Sequence, residues 1–290
     1  MREPNIKGVI LAAGYGTRFL PGTKTIPKEL FPLVDTPAIQ LIVDEMIAAG
    51  IKEILVISSR RKKALEDYFD REAELEGTFA AEGAKAKLDA IAPPDVQVFF
   101  RRQQEMAGTG DALLLVEPFT GDSPFVVAYP DDVMMGGDSL CGQLVETWRK
   151  TQCTVLAGKE IPTGDISRFG VMDIETRGGT DYVTRMVEKP PPGTEPSRVV
   201  SYGRYLYTPE IFQALRDTRK QHTSGEFTQT EALQHLAGQG KVAVCRFEGE
   251  ILDVGTPQGY LEAIIEYGLG QEKYREGLLA YLREVVKREG

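Results

Sequence analysis

Histidine is nearly absent: the 290 residues include His222 and His235 and no others. That leaves almost no raw material for a histidine-based zinc site or a Ser-His-Asp triad. Cysteine is scarce as well. Cys141, Cys153 and Cys245 are odd in number and fit no metal-ligand spacing, so reduced thiols in a cytoplasmic protein are the simplest expectation. No stretch approaches the roughly 20 apolar residues that span a bilayer. The apolar run from Gly8 to Ala13 is too short for a signal-peptide core and lacks the usual basic flank. Basic residues are in the minority, 34 Lys+Arg against 43 Asp+Glu, for a formal charge of -9. This disfavours non-specific contact with nucleic acid or an anionic membrane, although local cations can still reverse the field inside a pocket. Repeats, low-complexity tracts and an interdomain linker are missing too, which predicts one domain over residues 1–290.

What is present is a chain long enough to bury a large core, in which short β-branched runs alternate with amphipathic segments. Strands are predicted at Lys7 to Ala13, Glu53 to Ser58, Val96 to Arg101 and Phe125 to Tyr129. Between them, Ile39, Ile42, Val43, Met46 and Ile47 make one apolar face of a helix over Ile39 to Ala49. Lys62 to Ala90 reads as a charged helical region broken by Gly77 and Gly83. Such alternation implies an α/β, Rossmann-like mixed sheet, mainly parallel and flanked by helices. After Trp148, strands are predicted at Thr154 to Glu160, Val171 to Glu175, Tyr182 to Glu188, Ser201 to Tyr207 and Lys241 to Phe247. Helices are predicted at Pro209 to Leu215, Thr228 to Leu236, Pro257 to Tyr267 and Glu272 to Lys287.

The first strand runs directly into Gly14-Tyr15-Gly16-Thr17-Arg18. Small residues there let backbone N–H groups approach phosphate oxygens, although an isolated G-x-G is equally a tight strand-to-loop turn. A dinucleotide fingerprint would need a third small residue where Phe19 stands, and no Gly-Lys pair is followed by the Ser or Thr of a P-loop. The continuation is more specific. Arg18, Lys24 and Lys28 follow within a loop stiffened by Pro21 and Pro27, and Arg18 and Lys28 can grip a polyphosphate.

The run L-A-A-G-Y-G-T-R-F-L-P-G-T-K-T-I-P-K-E-L, with Pro32 to Gln40 after it, resembles the signature of bacterial UTP–glucose-1-phosphate uridylyltransferases. These belong to the sugar-phosphate nucleotidyltransferases, and the resemblance continues to Tyr267. It implies the nucleotidyltransferase fold with a smaller sugar-binding β extension. It also implies a nucleotide site formed by Leu11, Ala12, Ala13, Gly14, Gly16, Thr17, Gln103 and Gly108. Gln103 and the Gly108 backbone would meet the pyrimidine edge; an amide offers the donor and acceptor that uracil requires.

By the same resemblance, Asp131 in Tyr129-Pro130-Asp131-Asp132 and Asp253 in Leu252-Asp253-Val254-Gly255 would hold Mg2+, with Asp132 beside the sugar. Gly170 and Glu188 would take sugar hydroxyls and Lys189 the sugar's phosphate, with Glu226 a looser sugar contact. The chain departs from the family's usual residues at Asp111, where histidine is common, and at Phe169, where tyrosine is. The implied activity is Mg2+-dependent transfer of a uridylyl group from UTP to glucose 1-phosphate by a homo-oligomer, dimer or tetramer. Arg18, Lys28 and Lys189 would be its catalytic cations. The same chemistry with dTTP or CTP, or a non-catalytic sugar-nucleotide-binding regulator, remains open at this point.

Overall fold

Apolar β-branched residues cluster where strands form. A computed structural model describes residues 4–290. In chain order the strands are β1 (Lys7–Leu11), the short pair β2 (Pro32–Leu33) and β3 (Thr36–Pro37), β4 (Glu53–Ser58), β5 (Gln97–Arg102) and β6 (Phe125–Ala128). There follow β7 (Asp132–Met135), β8 (Thr154–Glu160), β9 (Gly170–Arg177), β10 (Thr180–Glu188), β11 (Val199–Tyr207), β12 (Val242–Arg246) and β13 (Glu250–Asp253). Nine of them form one sheet in the order β5-β4-β1-β6-β11-β8-β12-β10-β9. It is mixed, but not mainly parallel as the alternation of elements predicts: four of its pairings are parallel and five antiparallel. β5, β4, β1 and β6 run parallel, β11 is antiparallel to β6 and β8, and β10 is antiparallel to β12 and β9.

The interior parallel strands β1, β4 and β6 are largely apolar because both faces are covered, whereas the edge strand β5 carries Gln97, Arg101 and Arg102 and buries none of its residues fully. Successive residues serve opposite layers. Ile10, Ile54, Val56 and Val126 join the core under the helices Ala38–Ala48, Leu140–Thr151 and Pro257–Gly270. Val9, Leu55, Ile57 and Val127 join the core under Glu210–Gln221 and Thr230–Gly238. On Ala38–Ala48 the stripe Ile39, Ile42, Val43 and Met46 is fully buried, and the helix stops at Ala49 before Gly50, whose φ is +81°. Gly8 on β1 permits that packing, since a Cβ there would lie 2.7 Å from Met46 Sδ.

The charged region after Lys62 is three short helices, Lys63–Phe69, Ala73–Ala81 and Lys85–Ile91. Gly83, at φ +64°, does separate two of them, but Gly77 lies inside Ala73–Ala81 and breaks nothing. Only local propensity argued against it, and one glycine costs about 1 kcal/mol in a helix. The helix Leu140–Thr151, not anticipated above, is capped by Ser139 and buries Leu140, Cys141, Leu144, Val145 and Trp148. None of the described helices is long and apolar enough to cross a membrane.

The parallel strands β1, β4, β5 and β6 all release their chains at one edge of the sheet, where open α/β sheets place ligands. There the turn from Tyr129 to Asp132 is held from beneath by a buried ion pair. Arg204 on β11 is fully inaccessible and lies 3.0 Å from Glu45 on Ala38–Ala48. Its Nη1 donates to the Tyr129 and Gly203 carbonyls at 3.0 and 3.1 Å, and its Nη2 to the Asp132 carbonyl at 2.6 Å. Glu45 also accepts from the Cys141 N–H at 2.9 Å. Burial alone would raise the Glu45 carboxyl, yet the Arg204 charge and these hydrogen bonds hold it below its ordinary value.

Glu45→Ala strands the Arg204 charge in the core, so urea melts should show a loss of about 3–5 kcal/mol. Glu45→Gln, which keeps an acceptor, should lose less. Equal stability of Glu45→Ala and the unaltered protein would show that the pair is not required.

Candidate active site

Two cavities open at this sheet edge. The first, about 590 Å³, is lined by Leu11, Ala13, Gly14, Gly16, Thr17, Arg18, Lys28, Gln103 and Gly108. Ala12 is the exception among the residues assigned to the nucleotide. It is 1% exposed, packs in the core, and gives its N–H to the Ile57 carbonyl, because alternate residues of a strand face opposite sides. Gly16, at φ +67°, turns the loop and its carbonyl accepts from Thr23 Oγ1 at 2.7 Å. Gln103 is buried and donates through Nε2 to the Gly108 carbonyl at 3.1 Å.

Gly108 has φ +114° and ψ 175°, a region open in practice to glycine alone. A Cβ there would lie 2.2 Å from the Phe227 carbonyl oxygen. The contact is deliberate packing: the Phe227 N–H donates to the Ala107 carbonyl, and the Gly110 N–H to the Phe227 carbonyl, both at 2.9 Å. Two loops far apart in sequence are thereby stitched into one wall. Asp111 turns away toward Arg219, 3.9 Å distant, and is not among the residues lining this cavity.

The second cavity, about 520 Å³, is lined by Asp131, Asp132, Gly170, Glu188, Lys189 and Asp253 among others. A Cβ on Gly170 would lie 2.7 Å from Met186 Cε and 3.3 Å from Glu188 Oε2. Glu188 Oε2 accepts from Thr230 Oγ1 at 3.1 Å. Lys189 leaves β10 with φ +45°, uncommon for a side chain with a Cβ, and its Nζ is 3.8 Å from Glu188 Oε1. Phe169 lies beneath the Arg168 guanidinium, 4.9 Å from the ring centre. Arg18, Thr109, Asp131 and Glu226 line both cavities, so the two meet at this wall.

Three carboxylates gather at the junction. Asp132 opens β7 and stands opposite Asp253 at the end of β13, in a two-stranded ribbon not anticipated from the sequence. Burial pushes the Asp132 carboxyl up to about 6, against the pull of Arg204 and the Gly203 N–H, which donates to it at 2.7 Å. Lys28 Nζ lies 2.5 Å from both Asp131 oxygens. Asp253 accepts from the Gly255 N–H at 2.9 Å and lies 3.4 Å from Arg168. Among the described residues, no three His, Cys, Asp or Glu side chains form a self-sufficient metal cage. Asp131 and Asp253 supply hard oxygen donors to one cavity, which fits a divalent cation that draws its other ligands from phosphate and water.

Several partners were not evident from the sequence. Behind Lys28, the buried pair Lys62 and Glu29 (2.6 Å) ties the glycine loop to the turn after β4. Burial raises the Glu29 carboxyl and lowers the Lys62 ammonium. Tyr129, Gln229 and Thr109 form a polar chain along the second cavity. Neither group carries a local signal: Lys62 stands in the polar run Ser58 to Lys63, and Gln229 among Thr228, Thr230 and Glu231.

Gly108→Ala should cost about 1–3 kcal/mol of stability and weaken nucleoside triphosphate binding in calorimetry. Gly121→Ala, also at positive φ but with open space around it, should leave binding unchanged. Equal binding by both variants would remove the Gly108–Phe227 contact from the site.

Known proteins share the sequence and the fold of this chain. The model of the nucleotidyl transferase family matches residues 7–268. A UTP–glucose-1-phosphate uridylyltransferase of Staphylococcus epidermidis is 36% identical over 282 residues, 96% of this chain and 98% of its own length. Its namesake in Bacillus subtilis is 35% identical over 286 residues, 98% of each. Among solved structures, UTP-bound UGPase from Acinetobacter baumannii aligns with TM-score 0.86 at 32% identity, over 96% of this chain and 99% of that one. A UDP-glucose pyrophosphorylase complexed with UDP-glucose aligns with TM-score 0.80 at 36% identity, over 92% of this chain and 100% of that one. The chain belongs to the nucleotidyl transferase family.

Proposed function

We propose that the protein transfers the uridylyl group of UTP to glucose 1-phosphate, giving UDP-glucose and pyrophosphate. The observation that carries this reading is the shared wall: Arg18, Thr109, Asp131 and Glu226 line both cavities, so a nucleotide in one abuts a sugar phosphate in the other. The names and ligands of the similar enzymes support UTP and glucose 1-phosphate as the pair. Nucleotidyl transferases use a divalent metal in general; Mg2+ is the proposed ion here, held by Asp131 and Asp253.

In this reading a phosphate oxygen of glucose 1-phosphate forms a bond to the α-phosphorus of UTP, in line with the bond to the leaving pyrophosphate, which breaks. The nucleophile is already ionised at neutral pH, so neither a general base nor a covalent enzyme intermediate is required. The scarcity of histidine is consistent with that. Bound Mg2+ supplies charge neutralisation at the phosphate oxygens. Arg18 steadies the leaving pyrophosphate, Lys28 the triphosphate and Lys189 the attacking phosphate, while Glu188 and Asp132 meet sugar hydroxyls. Gln103 and the Gly108 backbone read the uracil edge. Catalysis rests on positioning and electrostatics.

One continuous sheet supports a single domain over the chain. The three free cysteines fit a reducing compartment, the cytoplasm. Assembly as a dimer or tetramer is part of the proposal, supported by the family resemblance. The helix Glu272–Glu289, which buries none of its residues within one chain, is available for it.

With Mg2+ and glucose 1-phosphate, pyrophosphate release should be well above background with UTP and weak with dTTP, CTP, ATP and GTP. Preference for dTTP or CTP would keep the chemistry and change the product. Silence with every triphosphate and sugar 1-phosphate, with nucleotide sugar still bound, would overturn catalysis in favour of a binding role. Lys189→Ala should lower turnover by roughly 100-fold or more with an unchanged melting temperature. Asp131→Asn should raise the Mg2+ concentration needed for half activity; an unaltered metal profile would remove Asp131 as a ligand.

A further inference from the structure

We propose that Lys62 is a positioning residue for the reaction: its buried pair with Glu29 aims Lys28 at the triphosphate. This rests on the reading of the first cavity as the nucleotide's.

Lys28 and Glu29 share a single 3-10 turn, Lys28–Leu30, yet their side chains reach different partners. The Lys28 stem passes Gly16, where a Cβ would lie 3.5 Å from Lys28 Cδ, and its Nζ meets both Asp131 oxygens at 2.5 Å. Lys28 lines the first cavity together with Arg18. Glu29 instead accepts through Oε1 from Lys62 Nζ at 2.6 Å, and the two side chains are 1% and 6% exposed. Lys62 lies in the turn after β4, immediately before the helix Lys63–Phe69. One residue earlier, Arg61 Nη2 donates to the Lys24 carbonyl at 2.9 Å, so the same turn grips the glycine loop twice.

A single turn of this kind has little stability of its own, so its surroundings decide where its side chains point. Leu30 packs on the core, and apolar contact has no direction. The Glu29–Lys62 contact does have one, because a charge-assisted hydrogen bond requires alignment. It therefore fixes the rotation of the turn, and with it the origin of the Lys28 side chain. Stability is a poor reason to keep such a pair, since apolar residues of similar volume often hold a core as well or better. Burial raises Glu29 and lowers Lys62 in spite of their mutual attraction, so the charge of each is disfavoured where it stands. What the pair does provide is an aimed Lys28 next along the chain. Misplacing such a cation by about 1 Å is a large loss where catalysis is by positioning.

The test is a cycle of kinetic measurements with Mg2+. It compares the unaltered protein, Lys28→Ala, the paired replacement Lys62→Met with Glu29→Leu, and all three changes together. The paired replacement strands no charge, so its melting temperature should stay close to that of the unaltered protein. It should raise KM for UTP by about 10-fold or more, the scale of one hydrogen bond to a charged group. KM for glucose 1-phosphate should not change. In the Lys28→Ala background the paired replacement should raise KM for UTP no further, since residues that act through one another are non-additive. Glu29→Gln keeps the side chain's shape without its charge. It should give the same pattern with a smaller rise, whether or not the paired replacement folds.

An unchanged KM for UTP in the pair variants, with Lys28→Ala impaired, overturns the proposal alone. So does a rise that is as large in the Lys28→Ala background, because the pair would then act without Lys28. A rise matched by KM for glucose 1-phosphate and by a lowered melting temperature marks a merely structural pair, and also overturns it. If Lys28→Ala itself leaves KM for UTP unaltered, Lys28 does not hold the triphosphate; that part of the nucleotide reading fails and takes the proposal with it.

Discussion

A guanidinium sealed from water must find a counter-charge and an acceptor for each of its N–H groups, or its burial costs several kcal/mol. Arg204 meets that demand with the Glu45 carboxylate and with the carbonyls of Tyr129, Asp132 and Gly203. These partners come from three places: a helix on one face of the sheet, strand β11, and the turn that carries Asp131. Satisfying one cation therefore locks the turn to the sheet and to the helix at once. Glu45 passes the constraint on through the Cys141 N–H to the helix Leu140–Thr151. Where catalysis is by positioning, small displacements of a metal-binding carboxylate are expensive, and a buried ion pair is a rigid way to prevent them.

Above this base the site interleaves charge. The protein is acidic overall, at -9, yet Arg18, Lys28 and Lys62 converge near the glycine turn. Lys28 faces Asp131 and Lys62 faces Glu29, so a local field able to accept a polyphosphate is built without leaving bare cations in the core. The wall between the cavities depends equally on backbone. Gly108 lets the Phe227 carbonyl approach closer than any side chain would allow, and the carbonyl then accepts the Gly110 N–H. Glu226 and Gln229 are brought to the cavities by that same loop.

Strands and helices were legible wherever hydrophobic periodicity was strong: the segments at Glu53 to Ser58 and Thr154 to Glu160 form within the bounds that their β-branched runs define. The Asp132–Met135 and Glu250–Asp253 ribbon was not legible, because its strands are short and begin or end in acids, and each has the other as its strand partner. Gly77 looked like a break because propensity is a weak prior that a helical context overrides. The antiparallel half of the sheet escaped the alternation rule too. Strand direction depends on which neighbour is met in space, a non-local fact. At the site, the glycine turn and its cations could be seen because they are contiguous. The Thr109–Gln229–Tyr129 chain could not, since its members are separated by 120 and 100 residues.

By itself, the sequence determined the α/β layering, the phosphate-suited loop from Gly14 to Lys28 and the resemblance to a nucleotidyl transferase. Each is written in local spacing, and local spacing governs which face a residue presents and how a loop can turn. It also excluded histidine chemistry simply by having almost no histidine. The tertiary structure alone decided that Ala12 belongs to the core, that Asp111 faces Arg219, and that Asp131, Asp132 and Asp253 share one corner. It alone placed Arg204 beneath that corner. The reason is physical: burial and charge pairing are properties of positions in space, and chain segments that meet there carry no mark of their partner in their own sequence.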